Sequence, residues 1–239
     1  MEILKLSEVE NTYKWFMKIG INLVGVSYND GVIGRYRNYQ DAVDGFTRNV
    51  VSPLKEEGHD IKYYIYSYDN VKRNDILNTY QPTIKHEFIN PIHNTIGGGD
   101  RVSNGYKAIS STYIGSLEQL KNEDLDLIIS TRFDINFFKN PFKEYPFDFT
   151  KFNFLWREPE FIDLPIVNDT FIAFPYSMLD NVIDSINEME TNPPHNVNVA
   201  MHNWYLPMVN QVGEDKVQWV CDEFVNAISN DLYKLMRHG

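Results

Sequence analysis

Apolar residues in the first half of the chain alternate between short continuous runs and segments with helical spacing. The runs at residues 21–27, 60–68 and 126–130 are rich in β-branched and aromatic side chains, which is typical of strands. Apolar positions at three- and four-residue steps over residues 43–54 predict a helix between the first two strands. Pro53 is expected to end or kink this helix.

The remaining predicted elements are shorter and follow one another less regularly. They are helices over 71–80 and 199–209 and after Ser103, Ser177 and Asp222, and strands over 84–89, 152–156, 169–174 and 217–220. The strand–helix–strand order of the first half implies right-handed crossovers and parallel strands. The sequence therefore predicts one α/β domain with a mixed, mostly parallel central sheet flanked by helices.

Polar segments follow each of the three strands predicted in the first half, at residues 27–37, 67–70 and 131–136. Sheets of this kind bind ligands outside the carboxyl ends of their strands. Because parallel strands end at the same edge, we expect these three segments to lie close together. They are the first candidates for a functional site.

The third of these segments begins Thr131-Arg132-Phe133-Asp134, directly after a buried run. An arginine can bind phosphate oxygens with two parallel hydrogen bonds, and a carboxylate is a preferred ligand of Mg²⁺ or Mn²⁺. Arg132 and Asp134 are therefore candidates for holding a phosphate-bearing ligand together with its divalent ion. The alternative is a simple ion pair between these two side chains at a strand end.

The segment after the first strand contains two glycines and two arginines, Gly31, Gly34, Arg35 and Arg37. Glycines allow the backbone to approach a ligand closely, and the start of the following helix favours a bound anion. The segment matches neither the phosphate-binding loop that ends in Gly-Lys-Ser/Thr nor the dinucleotide-binding G-x-G-x-x-G pattern. Arg35 and Arg37 are either solvated loop cations or contacts to a phosphate or base.

Charge and composition narrow the class of partner. With 22 Lys+Arg against 33 Asp+Glu, the net charge of −11 argues against a dedicated nucleic-acid binder, which displays a basic surface. A local basic pocket for a small anion such as a nucleotide is compatible with that charge. Cys221 is the only cysteine, which excludes an intramolecular disulfide and a cysteine-based zinc site.

Two further observations concern location. No stretch approaches the roughly 20 apolar residues that span a bilayer, so no transmembrane segment is predicted. Residues 1–20 carry Glu2, Glu8 and Glu10 and lack the basic-then-apolar form of a signal peptide. We therefore expect a cytoplasmic protein.

The order of these elements and two short motifs resemble a known family. Gly34-Arg35-Tyr36-Arg37 after the first strand, and a strand running into Thr131-Arg132-Phe133-Asp134, resemble nucleotide-sugar glycosyltransferases of the GT-A fold. The enzymes in question build bacterial surface polysaccharides and the glycans of large viruses. The resemblance extends over about residues 20–210 by element order. It implies that residues 1–239 form a single GT-A-like domain, with a nucleotide-sugar-binding half at about 20–136 and an acceptor-binding half at about 137–239.

The resemblance also implies roles for individual residues. Asp134 is expected on the metal or diphosphate side, and Arg132 is expected to position the donor. A set of residues is expected to line the pocket of a nucleotide-sugar donor such as a UDP- or GDP-sugar: Ser27, Tyr28, Asn29, Arg35 and Arg37. The chain departs from the family pattern because a strict Asp-x-Asp is missing: the positions flanking Asp134 by two residues are Arg132 and Asn136. Mn²⁺ or Mg²⁺ is the expected cofactor, and Arg132 could partly replace it.

Two residues of the second half complete the expected site. Asp169 precedes a predicted strand where related enzymes carry a carboxylate that faces the acceptor, and it could act as general base. The competing interpretation of Asp169 is a turn residue, and Glu158 and Asp163 are rival bases. His202 lies where enzymes of this fold often supply a late metal ligand, although a lone histidine is more often structural.

The sequence thus predicts a hexosyl- or pentosyltransferase that acts on a nucleotide sugar and a saccharide or glycan acceptor. One alternative is a catalytically degenerate domain that binds a glycan or a partner through its aromatic surface. The other alternative is a sugar nucleotidyltransferase, which the absence of a lysine from residues 31–37 disfavours.

Overall fold

The three strongest apolar runs of the first half form adjacent central strands of one sheet, β6, β1 and β4 as numbered below.

The structure, a computed structural model, describes residues 16–31, 36–90, 104–157, 164–167, 169–191, 200–221 and 229–238. The strands in these ranges are β1 Lys18–Gly25, β2 Tyr28–Asn29, β3 Tyr36–Asn38, β4 Asp60–Tyr68, β5 Thr83–Ile89, β6 Leu127–Arg132, β7 Ile135–Phe137, β8 Phe152–Phe154, β9 Phe171–Pro175, β10 Val217–Trp219, β11 Tyr233–Leu235 and β12 Arg237–His238.

The helices lie mostly where the helical spacing predicts them. They are α1 Gln40–Phe46, α2 Ser52–Glu56, α3 Arg73–Thr79, α4 Asn104–Glu118, α5 Pro141–Glu144, α6 Leu179–Thr191 and α7 Tyr205–Val212. Pro53 does not end the first helical segment. The chain continues from a π-helical turn, Thr47–Val51, directly into α2, and Pro53 is the second residue of α2.

Seven strands form the central sheet, in the order β10-β8-β9-β6-β1-β4-β5. The pairs β1–β4, β1–β6, β4–β5 and β8–β10 are parallel, whereas β9 is antiparallel to both of its neighbours, β6 and β8. The predicted mixed, mostly parallel sheet is therefore confirmed. It includes strands from both halves of the chain.

Alternating side chains of the central strands supply two apolar cores, one on each face of the sheet. In β1, Ile19, Ile21 and Leu23 pack in the core that also contains residues of α1, α2 and α3. Val24 belongs to the other core, which α4, α6 and α7 cover. This double covering explains why the central strands read as continuous apolar runs.

Two small sheets adjoin the central one: β7 pairs with β11, and β2, β3 and β12 form a three-stranded sheet. The predicted helix after Asp222 is wrong for residues 229–238, which contain β11 and β12. Residues 222–228, like Ser103, lie outside the described residues. Within the described part of the chain, no helix is long and apolar enough to cross a membrane.

The aromatic-rich stretch between Phe133 and Phe154 packs into the interior. Phe137 contacts the rings of Phe171 and Tyr233 at centroid distances of 5.4 and 5.6 Å, and it is almost completely buried. Phe138 is an exception, with half of its surface exposed. Core filling, rather than a sugar-binding platform, accounts for most of these side chains.

Gly45 in α1 allows this helix to lie directly against β7. A Cβ atom built on Gly45 would come within 1.8 Å of Asn136 Oδ1 and 2.6 Å of the Phe137 carbonyl oxygen. One turn later, Asn49 Nδ2 donates to the same Phe137 carbonyl at 2.7 Å. Close approach at Gly45 is therefore a condition for seating β7, which directly follows the candidate site.

We expect Gly45→Ala to lower the free energy of unfolding by about 2 kcal/mol, because overpacking outweighs the better helix propensity of alanine. Urea denaturation measures this change. Asp44→Ala, at the exposed neighbour in the same helix, is the control and is expected to change stability by less than about 0.5 kcal/mol. A Gly45→Ala variant as stable as the wild type would contradict this packing of α1 on β7.

The free energy of unfolding at alkaline pH depends on the ionisation of buried tyrosines such as Tyr63. Burial raises the pKa of Tyr63 from 10.0 to about 12. Its contribution is complete below pH 10 and is lost as pH rises towards 12, because the unfolded chain ionises first. Between pH 9 and 11, wild-type protein should lose about 1.4 kcal/mol more unfolding free energy than Tyr63→Phe. Urea denaturation at both pH values tests this, and identical losses in the two proteins would refute it.

Candidate functional site

The carboxyl ends of β1, β4 and β6 bring the predicted segments to one edge of the sheet. The register pairs Val24 with Arg132 and Gly25 with Ser67, so the three strands end side by side. Ser27, the segment after Ser67 and the turn after Arg132 consequently lie at that edge. The expected convergence of the polar segments is found in the structure.

Arg132 and Asp134 form a bidentate ion pair at this edge. Arg132 Nε donates to Asp134 Oδ1 at 2.9 Å, and Arg132 Nη2 donates to Asp134 Oδ2 at 2.8 Å. The Asp134 side chain is only 2% exposed, whereas that of Arg132 is 22% exposed. The pair is thus held at the protein boundary, with the guanidinium on the more accessible side.

Arg37 supplies a second cation to the same carboxylate. Its Nε lies 3.8 Å from Asp134 Oδ2, and its side chain is 15% exposed. Strand β3 carries Arg37 between β2 and β12, where its backbone register partners are Asn29 and Arg237. Two guanidinium groups therefore share one carboxylate, and these three side chains together carry one net positive charge.

Ser27 belongs to a hydrogen-bond network that joins the ends of β1 and β4. Its hydroxyl lies 2.6 Å from that of Ser67, and Asn70 Nδ2 donates to Ser27 Oγ at 3.0 Å. Ser67 Oγ also donates to the Gly25 carbonyl at 2.9 Å. Because Ser27 and Ser67 are buried, they fix the shape of the edge, while Tyr28 and Asn29 next to them remain partly exposed.

The antiparallel direction of β9 brings Asp169 to the same edge. Thr131, near the end of β6, pairs with Phe171 at the start of β9, and Thr131 Oγ1 donates to the Thr170 carbonyl at 3.1 Å. Asp169, one residue further back, is thereby placed near Arg132, and its charge acts on that guanidinium. Asp169 and Thr170 also lie in a turn. The two interpretations of Asp169, as a turn residue and as a site residue, are therefore compatible.

His202 lies beside Asp169. Its Nε2 lies 3.8 Å from Asp169 Oδ1, and the two side chains are 19% and 16% exposed. The backbone around His202 is anchored, because the Val167 N–H donates to its carbonyl at 2.9 Å. Asp169, the proposed base, is thus a charged neighbour of His202.

Tyr113 in α4 is a site neighbour that the sequence interpretation missed. Its hydroxyl donates to the Asp169 carbonyl at 3.2 Å, and burial raises its pKa. Its ring packs edge-on against Trp204 in the core, as expected for an aromatic side chain on a helix. In the sequence, the hydroxyl group is the one feature of Tyr113 that indicates a polar contact.

The electrostatics of the edge favour a permanently charged Arg132. Withdrawal from water lowers its pKa, but the charges of Asp134 and Asp169 and the hydrogen bonds to Asp134 outweigh that effect. The pKa of Arg132 is therefore raised above its ordinary value. The cation is present at every pH at which the protein is folded.

The residues at this edge do not fit the expected metal site. Both oxygens of Asp134 accept hydrogen bonds from Arg132, and the carboxylate is nearly inaccessible to water. Mg²⁺ normally retains several waters in a protein site, and a carboxylate that is 2% exposed is poorly accessible to such a hydrated ion. Among the residues that the structure describes, no group of three His, Cys, Asp or Glu side chains could hold a metal ion.

Of the residues predicted for the site, the structure brings eight to this edge or beside it: Ser27, Tyr28, Asn29, Arg37, Arg132, Asp134, Asp169 and His202. Arg35 lies outside the described residues, as do the rival bases Glu158 and Asp163. Asn136 turns towards α1, where its Oδ1 faces Gly45.

Comparison of the sequence with protein-family models and with curated proteins gives no match. The class of protein is given by the structure alone. It is a mixed α/β protein in which polar and charged residues converge at one edge of the sheet.

A double-mutant cycle tests the energetic coupling of Arg132 and Asp134. Each of Arg132→Gln and Asp134→Asn should lower the free energy of unfolding by about 2–3 kcal/mol, because each removes the bidentate partner of a charge that is withdrawn from water. The double variant should lose about 1–2 kcal/mol less than the sum of the two. The same cycle at the exposed pair Lys121–Glu118 is the control, where no coupling is expected. Additive effects at Arg132 and Asp134 would contradict the pair.

Proposed function

We propose that the protein is a glycosyltransferase of the GT-A type. It transfers a sugar from a nucleoside diphosphate sugar, such as a UDP- or GDP-sugar, to a hydroxyl group of a saccharide acceptor. The observation that carries the proposal is the cluster of Arg37, Arg132 and Asp134 at the carboxyl edge of the sheet, beside Ser27 and Asn29. Ligands of such sheets bind at this edge.

The chemistry of sugar transfer explains why cations are needed there. When the bond between the sugar and the diphosphate breaks, negative charge develops on the leaving oxygen. Arg37 and Arg132 are 15% and 22% exposed whereas Asp134 is 2% exposed, so an anion at this edge can meet the two guanidinium groups. Asp169 is the second carboxylate at the edge and acts on Arg132. Asp134 fixes both nitrogens of the Arg132 fork, so this guanidinium is oriented before the donor binds.

Asn29 and Tyr28 support the nucleoside side of the proposed donor site. They form β2, which pairs with the strand of Arg37, so their positions relative to that cation are set by backbone hydrogen bonds. Both side chains are partly exposed. Ser27, Ser67 and Asn70 form the rigid base on which this strand rests.

Asp169 is the proposed general base. Its carboxylate is partly exposed at the edge where Arg132 ends β6, and it can accept the proton of an acceptor hydroxyl as the new glycosidic bond forms. His202, 3.8 Å away, and the Tyr113 hydroxyl on the backbone carbonyl hold Asp169 in position. In this role His202 orients the base.

The proposal predicts release of a nucleoside diphosphate from at least one sugar of a panel of UDP- and GDP-sugars, by hydrolysis or by transfer to added glycans. Chromatography of the nucleotide measures this release. Arg132→Gln should lower the rate about 100-fold, because removal of one charge-stabilising donor typically costs that much. Arg37→Gln provides a second variant that leaves the Arg132–Asp134 pair intact.

Lys121→Gln is the matched control, since it removes one positive charge from the loop after α4, where Lys121 pairs with Glu118 and Asp180. It is expected to retain the wild-type rate. If UDP and GDP bind but no donor is turned over, the binding-only alternative is favoured. If no nucleotide binds and no donor is cleaved, the proposed function is wrong.

A further inference from the structure

We infer that the site neutralises its diphosphate with Arg37 and Arg132 and works without a divalent cation. This inference rests on the proposed function and specifies its electrostatics. It departs from the expectation of a Mn²⁺ or Mg²⁺ cofactor held by Asp134 and His202, and the reason is the geometry of those two residues.

The carboxylate expected to hold the metal is committed to arginine. Two hydrogen bonds from Arg132, at 2.9 and 2.8 Å, occupy one lone pair on each oxygen of Asp134, and Arg37 Nε stands 3.8 Å from Oδ2. A divalent ion on this carboxylate would lie within a few ångströms of two guanidinium charges, and such like charges repel strongly in a partly buried site. The ion would have to share the carboxylate with Arg132 and displace Arg37, against this repulsion.

The second expected ligand points elsewhere. His202 Nε2 has Asp169 as its carboxylate neighbour at 3.8 Å. A cation shared by Asp134 and His202 would have to separate both pairs. Each expected ligand therefore has a charged protein neighbour of its own, Arg132 for Asp134 and Asp169 for His202.

Two arginines can perform the task that a metal performs in related chemistry. A guanidinium carries a permanent charge and binds phosphate oxygens in a fixed planar geometry. Arg132 is the more exposed member of its pair, and Arg37 is also partly exposed, so both cations can reach an anion that lies against the edge. Asp134 and Asp169 together balance the two guanidinium charges. What the site offers the diphosphate is therefore two partly exposed and oriented donor groups.

Isothermal titration of UDP and of GDP into the protein, in EDTA and in Mn²⁺, tests the inference. For whichever nucleotide binds, we expect the two dissociation constants to differ by less than fivefold. Arg37→Gln should weaken binding about tenfold in EDTA, and Mn²⁺ should not restore it. Lys121→Gln, with the same loss of charge, should bind like the wild type.

Affinity that rises fivefold or more in Mn²⁺, or binding that requires Mn²⁺, would overturn the metal-independent site while leaving the transferase proposal intact. Rescue of Arg37→Gln by Mn²⁺ would overturn it as well. Failure of both nucleotides to bind under either condition would count against the proposed function itself. The two proposals therefore fail in distinguishable ways.

Discussion

The pairing of β6 with β9 is the constraint on which both the fold and the site depend. Because β9 runs against its neighbours, its first residues lie at the edge where β6 ends. Arg132 from one half of the chain and Asp169 from the other meet there as a result. A parallel β9 would carry Asp169 to the opposite edge, and the cationic cluster would have no carboxylate facing it from the second half.

The charge distribution reconciles an acidic protein with the anionic ligand that we propose. The chain carries a net charge of −11, yet two of its arginines are concentrated on one carboxylate at the sheet edge. Orientation matters as much as charge, since the Arg132 fork is held by two hydrogen bonds to Asp134. The spacing Arg-x-Asp therefore allows the aspartate to hold the guanidinium in one orientation. This is a physical difference from Asp-x-Asp, in which both side chains are carboxylates.

Much of the fold follows from local patterns, and the failures have identifiable causes. The strand predicted at residues 60–68 is observed as Asp60–Tyr68, because a strand buried on both faces has an unmistakable composition. Near the carboxyl terminus, Leu232, Tyr233 and Leu235 satisfy both helical and strand spacing, and pairing with β7 decides for a strand. The role of Tyr113 depends on a contact with Asp169 across 56 residues, which no local pattern contains.

The small sheet that carries Arg37 has a consequence for how the site is assembled. Strand β3 pairs with β12 about 200 residues further along the chain, and the Met236 N–H donates to the Asp134 carbonyl. Contacts with such large sequence separation form only after the intervening loop has been closed, at a considerable cost in chain entropy. The central strands β1, β4 and β6 can therefore pair before the segment that secures Arg37 and Asp134 docks, and we expect the proposed site to be completed late in folding.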